Sequence, residues 1–377
     1  MEAAARSERP VGIGGRGAAP EREMHMRTRV VWTVVAAGVV LITLVGSGFA
    51  ASPNQTSIVY DDFSSGTNAK WSNPYGPGET AIGDVNHRET FPNGVERVRA
   101  VPFETGYDYS VYDHLKYMEV STAAFSVPAK GSVEFSSDMS ADTPGTITPL
   151  VQHGIYGPSY SWIDPNAPPR APDYSANVLQ GQQAGVVMNM VDFCTGQLFD
   201  WFLSGNSAFT LIERLPTNVT GNTLNPSCPG AEYVGRDKMY TQIVDEVSVG
   251  SGAHHVAIRY SAKDNSVEYR LDGRLITKVK NVGIPLDRQN RAYTGTYPSL
   301  GAGESLAGKI HSFSIGHGLF SLIDAFPYQH PESPEGSVSI PVGSGNPADA
   351  GRARLFGQGA DGTWDNFVVT TIDKDAN

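Results

Sequence analysis

His255-Val256-Ala257-Ile258-Arg259-Tyr260 is followed by a turn over Ala262 to Ser266, then by Val267-Glu268-Tyr269-Arg270-Leu271, Asp272-Gly273 and Leu275 to Val279. The first and second segments alternate apolar and polar residues, the period of a strand with one buried face. Asp272-Gly273 supplies the two-residue turn that a tight hairpin needs. Three antiparallel strands in 25 residues set the expectation for the whole chain.

Working outward, the same signals recur. Gly131 to Met139 alternates, with Val133 and Phe135 on one face and Glu134, Ser136 and Asp138 on the other. Gly185 to Phe193 is a continuous apolar run, the pattern of a strand buried on both faces. Cys194-Thr195-Gly196 reads as a turn, Leu198 to Leu203 as the return strand and Phe209 to Leu215 as a third member of a meander. Only Leu319 to Ala325 has helical spacing, and it is too short for an independent helix. Asp164 to Ser175 and Pro327 to Pro347, both proline-rich, read as long surface loops. At the two ends stand near-copies of one signature, Tyr60-Asp61-Asp62-Phe63 and Trp364-Asp365-Asn366-Phe367. They make sense if the first and last strands lie side by side. The predicted class is all-β, a two-sheet antiparallel jelly-roll sandwich.

Composition agrees. The chain has 377 residues, 40% hydrophobic and 18% charged, with 41 Gly and 25 Pro, which favours many turns over long helices. Residues 1–23 are expected to be a disordered or superfluous N-terminal extension. In residues 24–50, Arg27 and Arg29 precede an apolar run from Val30 to Phe49 that ends in small residues, the pattern of a signal peptide cleaved near Ala50. The competing reading is a membrane anchor, since about 20 apolar residues suffice to span a bilayer. Residues 57–373 are expected to form a single domain, secreted or extracytoplasmic. Residues 1–50 hold six Arg against four Glu, so the formal charge of -11 leaves the remainder at -13. That balance excludes nucleic acid as a partner, because phosphate recognition is driven by Lys and Arg. The only two cysteines, Cys194 and Cys228, are expected to form one disulfide in an oxidising compartment.

The stretch from His255 to Gly273 resembles the central hairpin of concanavalin A-like jelly-roll domains, a class that includes laminin-G-like modules, legume-type lectins and many glucanases. Asp62-Phe63 and Asp365-Asn366-Phe367 are similar to the paired end strands of that class. Residues 57–373 also resemble a family of uncharacterised secreted bacterial proteins. That likeness rests on Phe199-Asp200, Glu213-Arg214-Leu215-Pro216, Gly318-Leu319-Phe320 and Gly357-Gln358-Gly359-Ala360. The resemblance implies the fold, and a glycan or cell-envelope polysaccharide as partner. The Glu-x-Asp-x-x-Glu run of the glucanases is lacking. Glu134 and Asp138, the nearest approach, stand about 13 Å apart along a strand, too far for a glycosidase pair.

Asp192, Asp200 and Glu213 fall on consecutive predicted strands in apolar surroundings and are the candidate catalytic acids. Burial beside Phe193, Phe199 and Trp201 is expected to raise their pKa values toward general-acid use. The opposing reading makes them buried partners of backbone amides or of an arginine. Trp201, Arg214, Tyr156 and Trp162 are the candidate ligand-binding residues, within a wider supply of aromatics (Tyr107, Tyr109, Tyr112, Tyr117, Tyr160, Tyr174) suited to sugar faces. Asp61, Asp62 and Asp365 are candidates for a structural calcium site at the meeting of the end strands. No other cofactor is called for. The histidines, His311 and His317 among them, make no transition-metal motif at sequence spacing. The functional expectation is carbohydrate binding or processing on a concave sheet face. The alternatives are an enzyme acting on a non-sugar small molecule with one buried acid, and a non-catalytic envelope or adhesion module. A membrane is a partner only if the 30–49 segment stays uncleaved.

Overall fold

In the computed structural model the hairpin that opens the sequence argument is three strands of one sheet: β14 (His254–Ser261), β15 (Ser266–Leu271) and β16 (Arg274–Lys280). Ile258 lies opposite Tyr269, and Asp272 and Gly273 both take positive φ, as the tight turn requires. The structure describes residues 55–72, 83–104, 114–147, 150–155, 173–215, 234, 237–238, 240–293, 301–325, 328–329 and 355–373. For residues 150–155, 173–177, 324–325 and 328–329 it describes the backbone alone.

The first sheet continues from β14 to β7 (Ser132–Asp142), β19 (Ala360–Ile372), β4 (Glu96–Ala100) and β3 (Arg88–Thr90), and β1 (Gln55–Asp61) also pairs with β19. The end strands are therefore neighbours, with Val59 opposite Val368 and Asp61 opposite Phe367. Phe63 and Phe367, the last residues of the two signatures, are fully buried with ring centroids 5.9 Å apart. The second sheet runs β13 (Tyr240–Ser248), β12 (Ser207–Arg214), β11 (Gln197–Ser204), β10 (Gly185–Asp192), β17 (Ser312–Phe320), β5 (Leu115–Ser121) and β2 (Trp71–Ser72), with β6 (Phe125–Ser126) also on β17. All pairings are antiparallel, and the fold is the expected two-sheet jelly-roll sandwich. A small third sheet joins β18 (Tyr328–Gln329), β8 (Leu150–Ile155) and β9 (Asp173–Val178), so the proline-rich stretch 164–175 ends in a strand. Leu322–Ala325 is a short 3-10 turn, and the one α-helix among the described residues is α1 (Gln180–Gln183).

The main core lies between the two large sheets. Val133 and Phe135 of β7 and Val256, Ile258 and Tyr260 of β14 meet Val186, Met188 and Met190 of β10 and Phe199 and Trp201 of β11. Each fully buried aliphatic or Phe side chain stabilises by about 1.5–3 kcal/mol relative to exposure. Three polar tips cross between the sheets: Trp201 Nε1 donates to the Ala257 carbonyl at 3.0 Å, Trp364 Nε1 to Val187 at 3.0 Å and Tyr269 Oη to Leu211 at 2.7 Å. These tie the layers while leaving none of the three donors unpaired, which would cost about 1–3 kcal/mol each.

A second apolar cluster covers the opposite face of the second sheet, with Val187, Val191, Leu198, Phe202, Phe209, Leu211 and Ile243. This explains the largely apolar run of β10, broken only by Asn189 and Asp192: its eight residues are all buried, alternately toward the core and toward this outer face. Among the described residues no helix is long and apolar enough to cross a membrane. The expected signal or anchor, residues 24–50, lies outside the described residues, as do Tyr156, Trp162 and Cys228.

Candidate functional site

Strand alternation decides which acids can meet. On β10 the side chains of Val186, Met188 and Met190 enter the main core, so Val187, Asn189 and Val191 point to the outer face. On β11 Phe199 and Trp201 point inward, while Leu198, Asp200 and Phe202 point outward. On β12 Ile212 points inward, leaving Leu211 and Glu213 outward. Asp200 lies opposite Asn189 on one side and Leu211 on the other, and Glu213 lies opposite Leu198 and Thr241. Asp200 and Glu213 are thus diagonal neighbours on adjacent strands, a relation that puts Cβ atoms roughly 7 Å apart.

The two carboxyl groups each have one polar and one apolar cross-strand neighbour, Asn189 and Leu211 for Asp200, Thr241 and Leu198 for Glu213. Asp200 is 3% exposed and Asn189 is fully buried, while Glu213 is half-buried. Asn189 Nδ2 donates to Asp200 Oδ1, and Thr241 Oγ1 donates to Glu213 Oε2. Burial raises Asp200 well above the ordinary carboxylate range, the Glu213 carboxylate pushes in the same direction, and the Asn189 amide opposes both. Burial also pushes Glu213 up to about 7, with the Thr241 hydroxyl opposing. Two neighbouring carboxyl groups, both raised by burial, are the kind of pair that acid–base chemistry uses.

The floor beside Asn189 is built from glycine. Gly316 of β17 lies opposite Asn189, and a Cβ there would stand 3.1 Å from Asn189 Oδ1. Gly318 lies opposite Val187, and a Cβ there would stand 2.1 Å from the Tyr117 carbonyl oxygen. One end of the face is closed by the Phe202–Phe209 stack, with centroids 4.5 Å apart, against which α1 packs through Gly181.

Asp192 does not join the pair. One residue past Val191, it turns toward the inner face, and its carboxylate accepts from Cys194 N at 2.9 Å and from Thr195 Oγ1 at 2.6 Å, capping the β10–β11 turn. Trp201 is in the core, one residue out of phase with Asp200. Arg214 is 6% exposed, donating to the Thr195 carbonyl and to Glu304 Oε2 at 3.1 Å. Tyr117 is also interior, donating to Glu96 Oε1 at 3.1 Å.

The expected calcium corner is not assembled from Asp61, Asp62 and Asp365. Asp61 is 3% exposed and its oxygens accept from Phe63 N at 3.1 Å and Trp71 Nε1 at 2.9 Å. Asp62 accepts from Ser64, and Asp365 from Asn366 N at 2.7 Å. These are turn and bulge caps. The one grouping of metal-ligand atoms among the described residues is elsewhere: Glu96, Glu119 and His317, whose ligand atoms lie within 4.8 Å of one another. Sequence spacing hid it, since the three come from three strands, β4, β5 and β17.

The sequence pattern of a family described as "Family of unknown function (DUF6081)" matches residues 171–373. No curated protein matches the chain. Among solved structures, the catalytic domain of an endo-1,3-beta-glucanase (laminarinase) from Thermotoga petrophila is 12% identical, with 85% of this chain and 97% of that one covered at a TM-score of 0.40. The kappa-carrageenase of Pseudoalteromonas carrageenovora in complex with an oligotetrasaccharide is 10% identical, covering 86% and 98% at a TM-score of 0.35. The Bacillus licheniformis beta-glucanase is 10% identical, covering 86% and 99% at a TM-score of 0.33.

Proposed function

This chain belongs to the DUF6081 family, and we propose that it is an exported carbohydrate-processing protein in which Asp200 and Glu213 form an acid–base pair. The observation that carries this reading is the diagonal placement of two secluded carboxyl groups on one sheet face. Glycosidases need two carboxyl groups about 5–5.5 Å apart for retention or 6.5–9.5 Å for inversion. Diagonal neighbours on paired strands, with side chains free to lean together or apart, span that range. Two acids on a single strand at i and i+4, such as Glu134 and Asp138, do not. Those two are otherwise engaged on the far face of the first sheet, Glu134 with Arg259 at 2.7 Å and Asp138 with His255 at 2.8 Å.

Asp200, which burial raises well above the ordinary carboxylate range, is the general acid toward the leaving oxygen. Glu213, titrating near neutrality, is the base or nucleophile. Asn189 keeps the Asp200 carboxyl aimed, and the apolar walls from Val187, Val191 and Leu211 keep bulk water from levelling the two groups. The substrate is a glycan reached from outside the cell membrane.

The test is a polysaccharide panel of β-glucans, galactans and chitin-type chains, scored for retention on the immobilised polymer and for release of reducing ends. Release by the wild type that falls about 10²–10⁴-fold in Asp200→Asn and Glu213→Gln supports the reading. Retention without release reassigns the face to binding. The absence of both retention and release rules out a glycan substrate.

A further inference from the structure

A second cluster lies inside the sandwich, between its two sheets and apart from the acid pair. Glu96 comes from β4 of the first sheet, while Glu119 and His317 come from β5 and β17 of the second, where they are opposite one another. Glu96 and His317 are fully buried. His317 Nε2 forms a 2.8 Å ion pair with Glu96 Oε2, short of good hydrogen-bond alignment, while His317 Nδ1 and Glu119 Oε2 have no hydrogen-bond partner. Glu89 of β3 adds a further unpartnered oxygen, Oε1. The donors that are present go to other oxygens: Tyr117 Oη to Glu96 Oε1 at 3.1 Å, and Asn68 Nδ2 to Glu119 Oε1 at 3.0 Å.

We propose that Glu96, Glu119 and His317 bind one divalent transition-metal ion, zinc in the first place, as a clip between the two sheets. Buried polar atoms are almost always paired, and a bound ion is one of the few explanations for a converging set that is not. A tetrahedral ion held at about 2.1 Å from each atom would sit between His317 Nε2 and Glu96 Oε2 once their 2.8 Å separation opened to about 3.4 Å. One imidazole with carboxylates and no thiolate suits zinc or manganese, whereas calcium takes an all-oxygen shell. Two to three carboxylates facing one imidazole are also short of positive charge, which a dication restores. The ring of Trp71, 4.4 Å from that of His317, and Trp364, at 5.1 Å, shield the site from water. The side facing Asn68, Glu89 and Glu119 is only half-buried and provides the entry path.

The experiment uses the purified protein stripped with EDTA and titrated with zinc chloride. One equivalent is taken up, Tm rises by about 5 °C or more at saturating zinc, and X-ray absorption at the zinc edge reads one imidazole, the rest oxygen and no sulfur. The absorption measurement needs no variant, so a misfolded mutant cannot obscure it. Glu119→Gln, at the half-buried edge, lowers affinity at least tenfold, in line with loss of a ligand. No uptake, a shell containing sulfur or several imidazoles, or uptake unchanged in Glu119→Gln overturns the proposal. None of these readings depends on whether Asp200 and Glu213 act on a glycan.

Discussion

Asp200 and Glu213 occupy adjacent strands one diagonal step apart, with Leu211 opposite Asp200 and Leu198 opposite Glu213, so that both carboxyl groups leave the same face of the second sheet. The same register sends Trp201 and Ile212, their chain neighbours, into the core. Alternation turns a pair of acids thirteen residues apart into a single site with an apolar surround.

If the pair is catalytic, its pH profile follows from the two environments. Activity rises as pH climbs through about 7, where Glu213 loses its proton. Glu213→Gln removes the rising limb along with most of the activity. A profile of the released reducing ends between pH 5 and 10 checks this, and a plateau beginning near pH 4 contradicts it.

The same burial has a cost in stability. A carboxyl group raised from 4.5 to about 7 by folding binds its proton more tightly folded than unfolded. Stability is therefore undiminished below about 4.5, declines as pH rises from there to about 7 and stays lower above it, by roughly 3 kcal/mol at most. Glu213→Gln abolishes that decline and makes the protein more stable at pH 8 while leaving pH 4 nearly unchanged. Urea titrations at the two pH values measure it. A purely structural glutamate would show the opposite at pH 8.

Gly316 and Gly318 separate function from folding on one strand. A methyl at Gly316 meets the Asn189 side chain at 3.1–3.2 Å, so Gly316→Ala tilts Asn189 away from Asp200 and lowers turnover about tenfold. A methyl at Gly318 meets backbone at 2.1 Å, so Gly318→Ala disturbs the β17–β5 pairing and lowers Tm sharply. Thermal melts alongside kinetics distinguish the two.

Arg214 serves the fold. Lys309 and Arg214 both donate to Glu304, which holds its carboxyl down to about 2, with Lys238 at 3.4 Å. A depressed carboxylate stabilises the fold above its unfolded value of about 4.5, and that contribution fades as pH falls toward 2. Glu304 is 28% exposed on its side chain, so the loss in Glu304→Gln at pH 7 is roughly 1–2 kcal/mol, smaller in high salt. Arg214→Met costs more, because it also leaves the Thr195 carbonyl without its guanidinium donor. Chemical denaturation in low and high salt reads both.

Much of the architecture was legible in the chain, because strand signals are local. The alternation of residues 255–271, the Asp272-Gly273 turn and the apolar run of β10 each report their own environment within a few residues. The end signatures were the exception, a non-local inference that held: Phe63 and Phe367 pack together because β1 and β19 pair. Of the three candidate acids, Asp200 and Glu213 share one face. Asp192 does not share it, since a four-residue turn makes Gln197 its partner and parity then sends it inward. A count from Asp200 back through that turn leads to Asn189, so the polar partner was in principle readable once the register was known.

What the sequence determined by itself, then, was the sandwich and its strand faces, because period-two burial and turn chemistry act between residues a few positions apart. What only the tertiary structure decided was which polar groups share a space. Glu96, Glu119 and His317 carry no mutual spacing signal, and Tyr117 reads as a surface aromatic until the first sheet closes over it. Their meeting depends on how two separately legible sheets stack, and stacking is set by the sum of many apolar contacts rather than by any short stretch of chain.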